Sequence, residues 1–280
     1  MKKIGIIATG LIGGSLALAL KKKKQYEVLA YNRKPEVSEK ALKLGAIDGF
    51  YENPSSLVQN SDIIVLCAPL ASYSNIVTSI KDDLTDKKIL TDVGSVKYSS
   101  ICEIKNILGD KINCFVPAHP IAGSEKGRFD NSKYDLFKGK NLLITTSDIF
   151  EIPKNNLREV RNLWGSVEAK VSVIDATLHD KIYAKISHFP QFLCFELGGF
   201  FPIHERVYMP EFSRLMNSNK EIWAEIFSYN STNIKTCLKD FLDSYYANIK
   251  NYSTTGSGEI NFEQIAHIIT ETYLQTIRSE

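Results

Sequence analysis

The chain has 280 residues, of which 44% are hydrophobic, so it is long enough for two compact domains and apolar enough to bury a sizeable core. Its 34 Lys and Arg residues nearly balance its 32 Asp and Glu residues, and the net charge of +2 argues against binding nucleic acid or a membrane surface through overall charge. No uninterrupted apolar stretch approaches the roughly 18 residues of a membrane span, and no signal-peptide pattern opens the chain, which predicts a soluble, cytoplasmic protein.

The first predicted elements form a dinucleotide-binding turn. An apolar strand is followed by the run ATGLIG at residues 8–13 and by an Ala- and Leu-rich helix. Gly10 lets the backbone approach a pyrophosphate, and Gly13 lets the helix pack closely on the strand. Ala8 stands where the G-x-G-x-x-G pattern has its first glycine, so we expect a backbone angle there that alanine tolerates. The alternative is a small-residue-rich helix start without a ligand. The residues predicted to bind the cofactor here are Gly10, Leu11, Ile12 and Gly13.

Strands and helices alternate up to about residue 175. Near-continuous apolar runs predict parallel strands that are covered on both faces. Strands are predicted over residues 2–7, 26–31, 62–68, 88–93, 114–117, 141–145 and 169–174. Helices are predicted over residues 36–44, 73–80, 99–108 and 157–164. The alternation predicts an α/β fold with an N-terminal Rossmann-like, doubly wound sheet, whose last strands are 141–145 and 169–174.

The sequence after this region has a different character. Helical spacing with almost no strand pattern predicts helices over residues 179–201, 209–227, 231–251 and 262–277. We therefore expect a dinucleotide-binding domain over residues 1–175 and an all-helical C-terminal domain over residues 176–280. A second copy of the chain can cover the aromatic surface of the helical part, which predicts a homodimer. The aromatic residues concerned are Phe195, Phe200, Phe201, Phe241, Tyr245 and Tyr246.

Five cysteines are scattered along the chain without a C-x-x-C pair. An odd number at such spacings favours reduced thiols over disulfides or a zinc site, so no metal is expected. The cysteines are Cys67, Cys102, Cys114, Cys194 and Cys237.

Loops at the carboxyl ends of the strands are where an open α/β sheet binds its ligand. After the second strand, where NAD enzymes place an acidic residue for the ribose 2′-hydroxyl, this chain has Asn32 and Arg33. A neutral amide beside cations tolerates or attracts a 2′-phosphate, so NADP and NAD both stay open as the cofactor. The alternative is a solvated polar loop on an NAD enzyme. The small residues Ala68, Pro69 and Gly94, after the next two strands, suit loops that lie against a flat cofactor.

The densest polar cluster of the chain spans residues 119–127 and begins with His119. A lone histidine is usually structural. In a glycine-containing loop at the ligand edge of the sheet, with Ser95 on a neighbouring loop, it is also a candidate acid or base. Both interpretations stay open on position alone.

Three sequence motifs follow one another in a fixed order. Residues 10–15 read GLIGGS, residues 92–97 read DVGSVK, and residues 119–125 read HPIAGSE. They are followed by His179-Asp180, the run SHFP at 187–190, Arg214 and Trp223. Together these residues resemble the prephenate/arogenate dehydrogenase family over nearly the whole chain. The run HPIAGSE after GSVK is far more specific than the glycine motif.

The resemblance implies oxidative decarboxylation of prephenate to 4-hydroxyphenylpyruvate in tyrosine biosynthesis, with hydride transfer to NAD or NADP. It implies that His119 deprotonates the ring hydroxyl and that Ser95 orients His119 or the same hydroxyl. Arg214 matches the family arginine that grips a substrate carboxylate, a bidentate task that lysine performs poorly. It also implies that the helical domain, for which the aromatic surface predicts dimerisation, binds substrate. The other implied substrate contacts are Ser124, Glu125 and His188.

Gln191 departs from the family pattern, because family members often carry a histidine there. An amide supplies no positive charge for the keto-acid side chain of the substrate. Prephenate and its amino analogue arogenate therefore both stay open, with Gln191 among the substrate-binding residues. Since the sequence ends soon after the helical segments, we expect any tyrosine feedback to act at or near the active site.

Two other functions are alternatives. One is another two-domain reductase with a helical C-terminal half, such as a 3-hydroxyacid dehydrogenase or an imine reductase, against which the HPIAG run argues. The other is a catalytically silent dimer that senses NAD(P)H. Such a sensor has no need for His119, Ser95 and Arg214 together.

Overall fold

The computed structural model describes residues 1–123, 127–200 and 210–252 of the protein. Its first six strands are β1 (Lys2–Ile7), β2 (Tyr26–Tyr31), β3 (Gly49–Phe50), β4 (Ile63–Leu66), β5 (Ile89–Asp92) and β6 (Phe115–Val116). They form one parallel sheet in the order β3-β2-β1-β4-β5-β6. β2 and β3 lie on one side of β1, and β4 to β6 lie on the other, so the strand order reverses at β1 as in a doubly wound sheet. The predicted Rossmann-like fold is confirmed.

Helices cover both faces of this sheet. They are α1 (Leu11–Lys23), α2 (Pro35–Lys43), α3 (Pro54–Gln59), α4 (Tyr73–Ile80) and α5 (Tyr98–Leu108). Along β4, Ile63 and Val65 belong to one buried apolar cluster, and Ile64 and Leu66 belong to the other. Because alternate side chains enter opposite cores, the strand reads as a continuous apolar run in the sequence. The sequence did not predict β3 and α3, since both are short and carry little periodicity.

A second sheet has three strands, β7 (Ala118–Pro120), β8 (Asn141–Thr146) and β9 (Lys170–Asp175), in that order. β7 runs antiparallel to β8, and β8 runs parallel to β9 across α6 (Lys154–Ser166). The prediction that residues 141–145 and 169–174 complete the parallel sheet is therefore wrong. The chain changes sheets at Pro117, which lacks the N–H needed to continue the β6 ladder beside β5.

The described chain after β9 is helical. Its helices are α7 (Ala176–Tyr183), α8 (Phe189–Phe200), α9 (Pro210–Met216), α10 (Lys220–Tyr229) and α11 (Ser231–Tyr252), with a π-helical turn over Ala184–His188 between the first two. The prediction of one helix over 209–227 is wrong, because Asn219 caps a new helix by accepting a hydrogen bond from the Ile222 N–H at 2.9 Å. The helix predicted over 262–277 lies outside the described residues.

The chain divides into compact units between Ile234 and Lys235. Helices α7 to α10 share the first unit with both sheets, and the predicted boundary between residues 175 and 176 stays a prediction. Within the described ranges, no helix is long and apolar enough to cross a membrane, and no group of His, Cys, Asp or Glu side chains is placed to hold a metal ion. All five cysteines are free thiols.

Ala8, the last residue before the dinucleotide turn, has a left-handed backbone with φ +72°. L-residues adopt this region only with strain, so the expectation of a tolerated angle is wrong. Two hydrogen bonds hold the turn: the Ala8 N–H donates to the Tyr31 carbonyl at 2.8 Å, and the Thr9 N–H donates to Asn32 Oδ1 at 2.8 Å. These contacts to the end of β2 over-determine the conformation.

We expect Ala8→Gly to raise the free energy of unfolding by about 1 kcal/mol. Glycine removes a left-handed strain of about 1–2 kcal/mol from the folded state, but it also increases the conformational entropy of the unfolded chain, which offsets part of this gain. Urea unfolding measures the change. Ala17→Gly, the same replacement inside α1, is the control and should lower the free energy of unfolding by about 1 kcal/mol. A destabilised Ala8→Gly protein would contradict the strain assignment.

Candidate active site

The N-terminus of α1 forms an open turn. Gly10 is the N-cap residue, no side chain caps the helix, and the first turn contains no acidic residue. A Cβ atom at Gly10 would meet nothing within 4 Å, whereas one at Gly13 would lie 2.3 Å from the Ala8 carbonyl and 3.0 Å from Cys67 Cβ. Gly13 therefore brings α1 against the strands, and Gly10 leaves free space over the N–H groups of the first turn. This combination fits a pyrophosphate.

Asn32, at the end of β2, uses its amide inside the protein. Its Oδ1 accepts the Thr9 N–H, and its Nδ2 donates to Thr9 Oγ1 at 2.7 Å and to Ser38 Oγ at 2.9 Å. Asn32 therefore fastens the dinucleotide turn to the start of α2, a role that the sequence did not reveal. Arg33 beside it is exposed.

Gly94, in the loop after β5, serves a close approach within the protein. A Cβ atom there would lie 2.7 Å from Leu70 Cδ2 and 2.9 Å from Asp92 Oδ2, and the Gly94 N–H donates to Asp92 Oδ2 at 2.9 Å. Ala68 is half-buried and Pro69 is exposed in the loop after β4. These three residues lie at the carboxyl edge of the sheet, as predicted.

Asp92 and Lys97 form an ion pair with no exposed surface, 2.6 Å between Oδ2 and Nζ. The pair binds both backbone groups of Ala118: Asp92 Oδ1 accepts its N–H at 2.9 Å, and Lys97 Nζ donates to its carbonyl at 2.8 Å. Tyr73 also donates to Asp92 Oδ2 at 3.1 Å. Burial lowers the pKa of Lys97, and the neighbouring Asp92 carboxylate opposes this shift. The pair thus fixes the backbone immediately before His119.

His119 lies in β7 itself and is part of a buried chain of polar side chains. Its Nδ1 is 2.9 Å from His179 Nε2, and His179 Nδ1 is 2.8 Å from Asp180 Oδ1. The Tyr183 ring stacks on His179 at 4.5 Å and meets the His119 ring edge-on at 5.1 Å. Burial lowers the pKa of His119 well below its usual value, and it lowers that of His179 although Asp180 opposes the shift. Burial therefore favours the neutral form of both imidazoles.

His188 ends the π-helical turn and is almost fully buried. Asn230 Nδ2 lies 2.9 Å from His188 Nδ1 and donates to the Asp180 carbonyl, also at 2.9 Å. Because the amide nitrogen only donates, Nδ1 of His188 is the acceptor and its proton is on Nε2. Burial lowers the pKa of His188 to about 4.

The other predicted site residues lie outside the hydrogen-bonded row of His119, His179 and Asp180. Arg214 is an exposed residue of α9, and buried Gln191 donates from Nε2 to the Leu215 carbonyl at 2.7 Å, so it holds α8 against the end of α9. Ser95 is half-buried, and among the described residues it makes no hydrogen bond with His119. Ser124 and Glu125 lie outside the described residues.

The roles of four residues were not predicted from the sequence: Asp92, Lys97, His179 and Asp180. A signal was present, because Asp92 and Lys97 frame the DVGSVK motif and His179-Asp180 form a polar pair in the first predicted turn of the helical half. Asp92 pairs with Lys97 and His179 with Asp180 nearby in the chain, but Lys97 also contacts Ala118 and Asp180, 21 and 83 residues away, so only the tertiary structure identifies these roles.

Comparison with known proteins identifies the family. Residues 16–173 match the family model "Prephenate dehydrogenase, nucleotide-binding domain". The chain belongs to the prephenate dehydrogenase family. The match begins just after the glycine turn and contains the Asp92–Lys97 pair, His119 and all of β8.

Relatives extend this likeness beyond the matched region. A prephenate dehydrogenase of Lactococcus lactis is 37% identical over 197 residues, which cover 69% of this chain and 52% of the relative, so the chain spans about half of that protein's length. A cyclohexadienyl dehydrogenase of Zymomonas mobilis is 26% identical over 90% of this chain and 88% of its own. The crystal structure of Aquifex aeolicus prephenate dehydrogenase in complex with hydroxyphenyl propionate and NAD+ has a TM-score of 0.79 and 25% identity, covering 100% of this chain and 99% of that one.

The two glycines of the turn give opposite predictions. Gly13→Ala should lower the free energy of unfolding by about 2–3 kcal/mol, since its Cβ has no room. Gly10→Ala should leave stability within about 0.5 kcal/mol and weaken dinucleotide binding at least about tenfold, because its methyl group fills the space over the helix N-terminus. Urea unfolding and fluorescence titration with NADH and NADPH measure both variants. Unchanged affinity in Gly10→Ala would place the dinucleotide elsewhere.

Acid should destabilise the folded protein through His188. Its pKa is about 4 when folded and 6.5 as the ordinary value, so its contribution is complete above pH 6.5 and is lost as the pH falls towards 4. At about 1.4 kcal/mol per pKa unit, His188 alone should make unfolding about 2 kcal/mol easier at pH 5 than at pH 7. His188→Gln should flatten this dependence in urea titrations at the two pH values. Parallel curves for variant and wild type would show that His188 is not buried as a neutral group.

Proposed function

We propose that the protein catalyses the oxidative decarboxylation of prephenate to 4-hydroxyphenylpyruvate, with NAD or NADP, in tyrosine biosynthesis. The observation that carries this proposal is the buried His119, which is hydrogen-bonded to His179 and follows the Ala118 held by the Asp92–Lys97 pair at the end of β5. The register of the parallel sheet aligns the ends of β1, β4 and β5 at Ile7, Leu66 and Asp92. The Asp92 side chain accepts a hydrogen bond from the Ala118 N–H. Asp92 thus lies two strand spacings, or roughly 10 Å, from the strand that leads into the dinucleotide turn, and His119 directly follows the Ala118 that Asp92 holds.

The turn fits the proposed cofactor. Gly10, Leu11, Ile12 and Gly13 would hold the pyrophosphate, Asn32 and Arg33 would lie near the adenosine ribose, and Ala68, Pro69 and Gly94 would border the nicotinamide. When bound, the nicotinamide accepts the hydride. Asn32 does not supply the carboxylate with which NAD enzymes bind the 2′-hydroxyl, which leaves room for either NAD or NADP.

The reaction requires few functional groups from the protein. Loss of CO₂ and of a hydride from the hydroxyl-bearing carbon together convert the prephenate ring into an aromatic one, so the protein has to orient the substrate, bind its carboxylates and remove the hydroxyl proton. A neutral imidazole in a dry site is a suitable base for that proton, which we assign to His119. We assign carboxylate binding to Arg214 and further substrate contacts to Ser95, Ser124, Glu125 and His188.

Gln191 supports arogenate as the second candidate substrate. Its amide is neutral and is fastened to the Leu215 carbonyl, so it brings no positive charge towards a keto acid. The product with arogenate would be tyrosine. A non-catalytic NAD(P)H-sensing dimer is the alternative that the assay below separates from both.

We also propose that the protein is a homodimer whose helical domain, over residues 176–280, binds substrate and dimerises. Leu178, Ile182 and Ile186 are spaced four residues apart on α7 and the π-helical turn, and they are exposed to 50%, 36% and 65%. A strip of this kind favours coverage by a second chain. The five free thiols suit the reducing cytoplasm, where we expect the protein to act.

Initial rates of NADH or NADPH formation test the function, with prephenate and arogenate each paired with NAD and NADP. We expect turnover in at least one combination. His119→Asn is the matched control: it should reduce kcat at least about 10³-fold while NADH still binds, because only the base is lost. Cofactor binding without turnover in all four combinations would favour the sensor, and full activity of His119→Asn would remove His119 from the mechanism.

A further inference from the structure

Three buried side chains form a hydrogen-bonded row that ends at the proposed base, His119. Asp180 Oδ1 lies 2.8 Å from His179 Nδ1, and His179 Nε2 lies 2.9 Å from His119 Nδ1. We infer that Asp180 and His179 are positioning residues that hold His119 in one tautomer, with its proton on Nδ1 and its lone pair on Nε2. The inference rests on the proposed function for its purpose, but the tautomer itself is measurable without any reaction.

The assignment begins at Asp180. Besides His179, this carboxylate accepts the Lys97 N–H on Oδ1 and the Tyr98 N–H on Oδ2, each at 2.9 Å, at the first residues of α5. Both oxygens of Asp180 accept from backbone N–H groups at the positive end of a helix, so this side chain acts as an acceptor. The ring nitrogen that faces it, His179 Nδ1, must therefore carry the proton.

The proton on His179 Nδ1 determines where His119 carries its own proton. A neutral imidazole has one N–H, so His179 Nε2 is left as an acceptor. His119 Nδ1 can bond to it only by donating, which puts the single proton of His119 on Nδ1. Nε2 of His119 then has a free lone pair, and it has no partner among the residues that the structure describes. This is the nitrogen that takes the hydroxyl proton of the substrate.

Among the described residues, His119 Nδ1 makes its hydrogen bond with His179 Nε2. His179 and Tyr183 from α7 face the ring, His188 lies beyond Tyr183, and the Lys97 ammonium lies nearby with its Asp92 partner. Lys97 and the other histidines disfavour a positive charge on His119. The Asp180 carboxylate, two hydrogen bonds away, is the group that offsets the charge when His119 accepts a proton.

Nitrogen NMR of the protein labelled with ¹⁵N-histidine measures the tautomers directly. The chain has five histidines, so single substitutions assign every signal. We expect His119 and His179 to carry their protons on Nδ1 and His188 to carry its proton on Nε2, an internal contrast within one spectrum. A wild-type His119 protonated on Nε2 overturns the inference, whatever the variants do.

Asp180→Asn tests whether the row controls catalysis. Its amide can donate to His179 Nδ1, which should move the proton of each ring to Nε2 and reduce kcat about 10²–10⁴-fold with little change in KM. A normal kcat in a protein whose His119 has changed tautomer would overturn the inference.

A matched pair at position 179 covers the case in which Asp180→Asn fails to fold. His179→Gln keeps an oxygen that accepts from His119 Nδ1, whereas His179→Leu does not. We expect the glutamine variant to keep at least ten times more kcat than the leucine variant, at equal NADH affinity. Equal losses of kcat would overturn the positioning role. A wild-type protein with the expected tautomers and no turnover would instead contradict the proposed function.

Discussion

The carboxylate of Asp92 and the ammonium of Lys97 meet at 2.6 Å without exposed surface, and between them they bind both backbone groups of Ala118. A buried ion pair is costly unless its remaining donors and acceptors are satisfied. Here Tyr73 and the Gly94 N–H complete the shell of Asp92. Where the chain leaves the parallel sheet, the pair binds the backbone N–H and carbonyl that a neighbouring strand would otherwise bind. The position of His119 therefore depends on this pair.

Asp180 has a similar joining role on the helical side. Its side chain binds the start of α5 and His179, and its carbonyl accepts from Asn230 at the end of α10. One residue thus connects the sheet, the first helix of the helical segment and a helix about 50 positions further along the chain. Removing its charge would disturb helix capping, histidine orientation and packing together, and so variants there need a readout for each.

The site is built from polar groups that are kept neutral by burial. His119, His179 and His188 all have a pKa below the ordinary value for the same first reason, the loss of water around the charged form. This costs stability in acid, but it provides bases that are unprotonated at pH 7. The exclusion of water from the site also strengthens the hydrogen bonds that orient the imidazole rings.

Local sequence patterns determined the doubly wound sheet, because each apolar run and each helical period is decided by neighbours within a few residues. They also marked the glycine turn and His119 as the ends of strands at one edge of a sheet. The second sheet was hidden, since strands 141–145 and 169–174 have the same apolar character whichever partner they pair with. The roles of Asp92, Lys97, His179, Asp180 and Asn32 were decided only by the tertiary structure. Their partners are distant in the chain, and a buried polar side chain acquires its meaning from the groups that replace water around it.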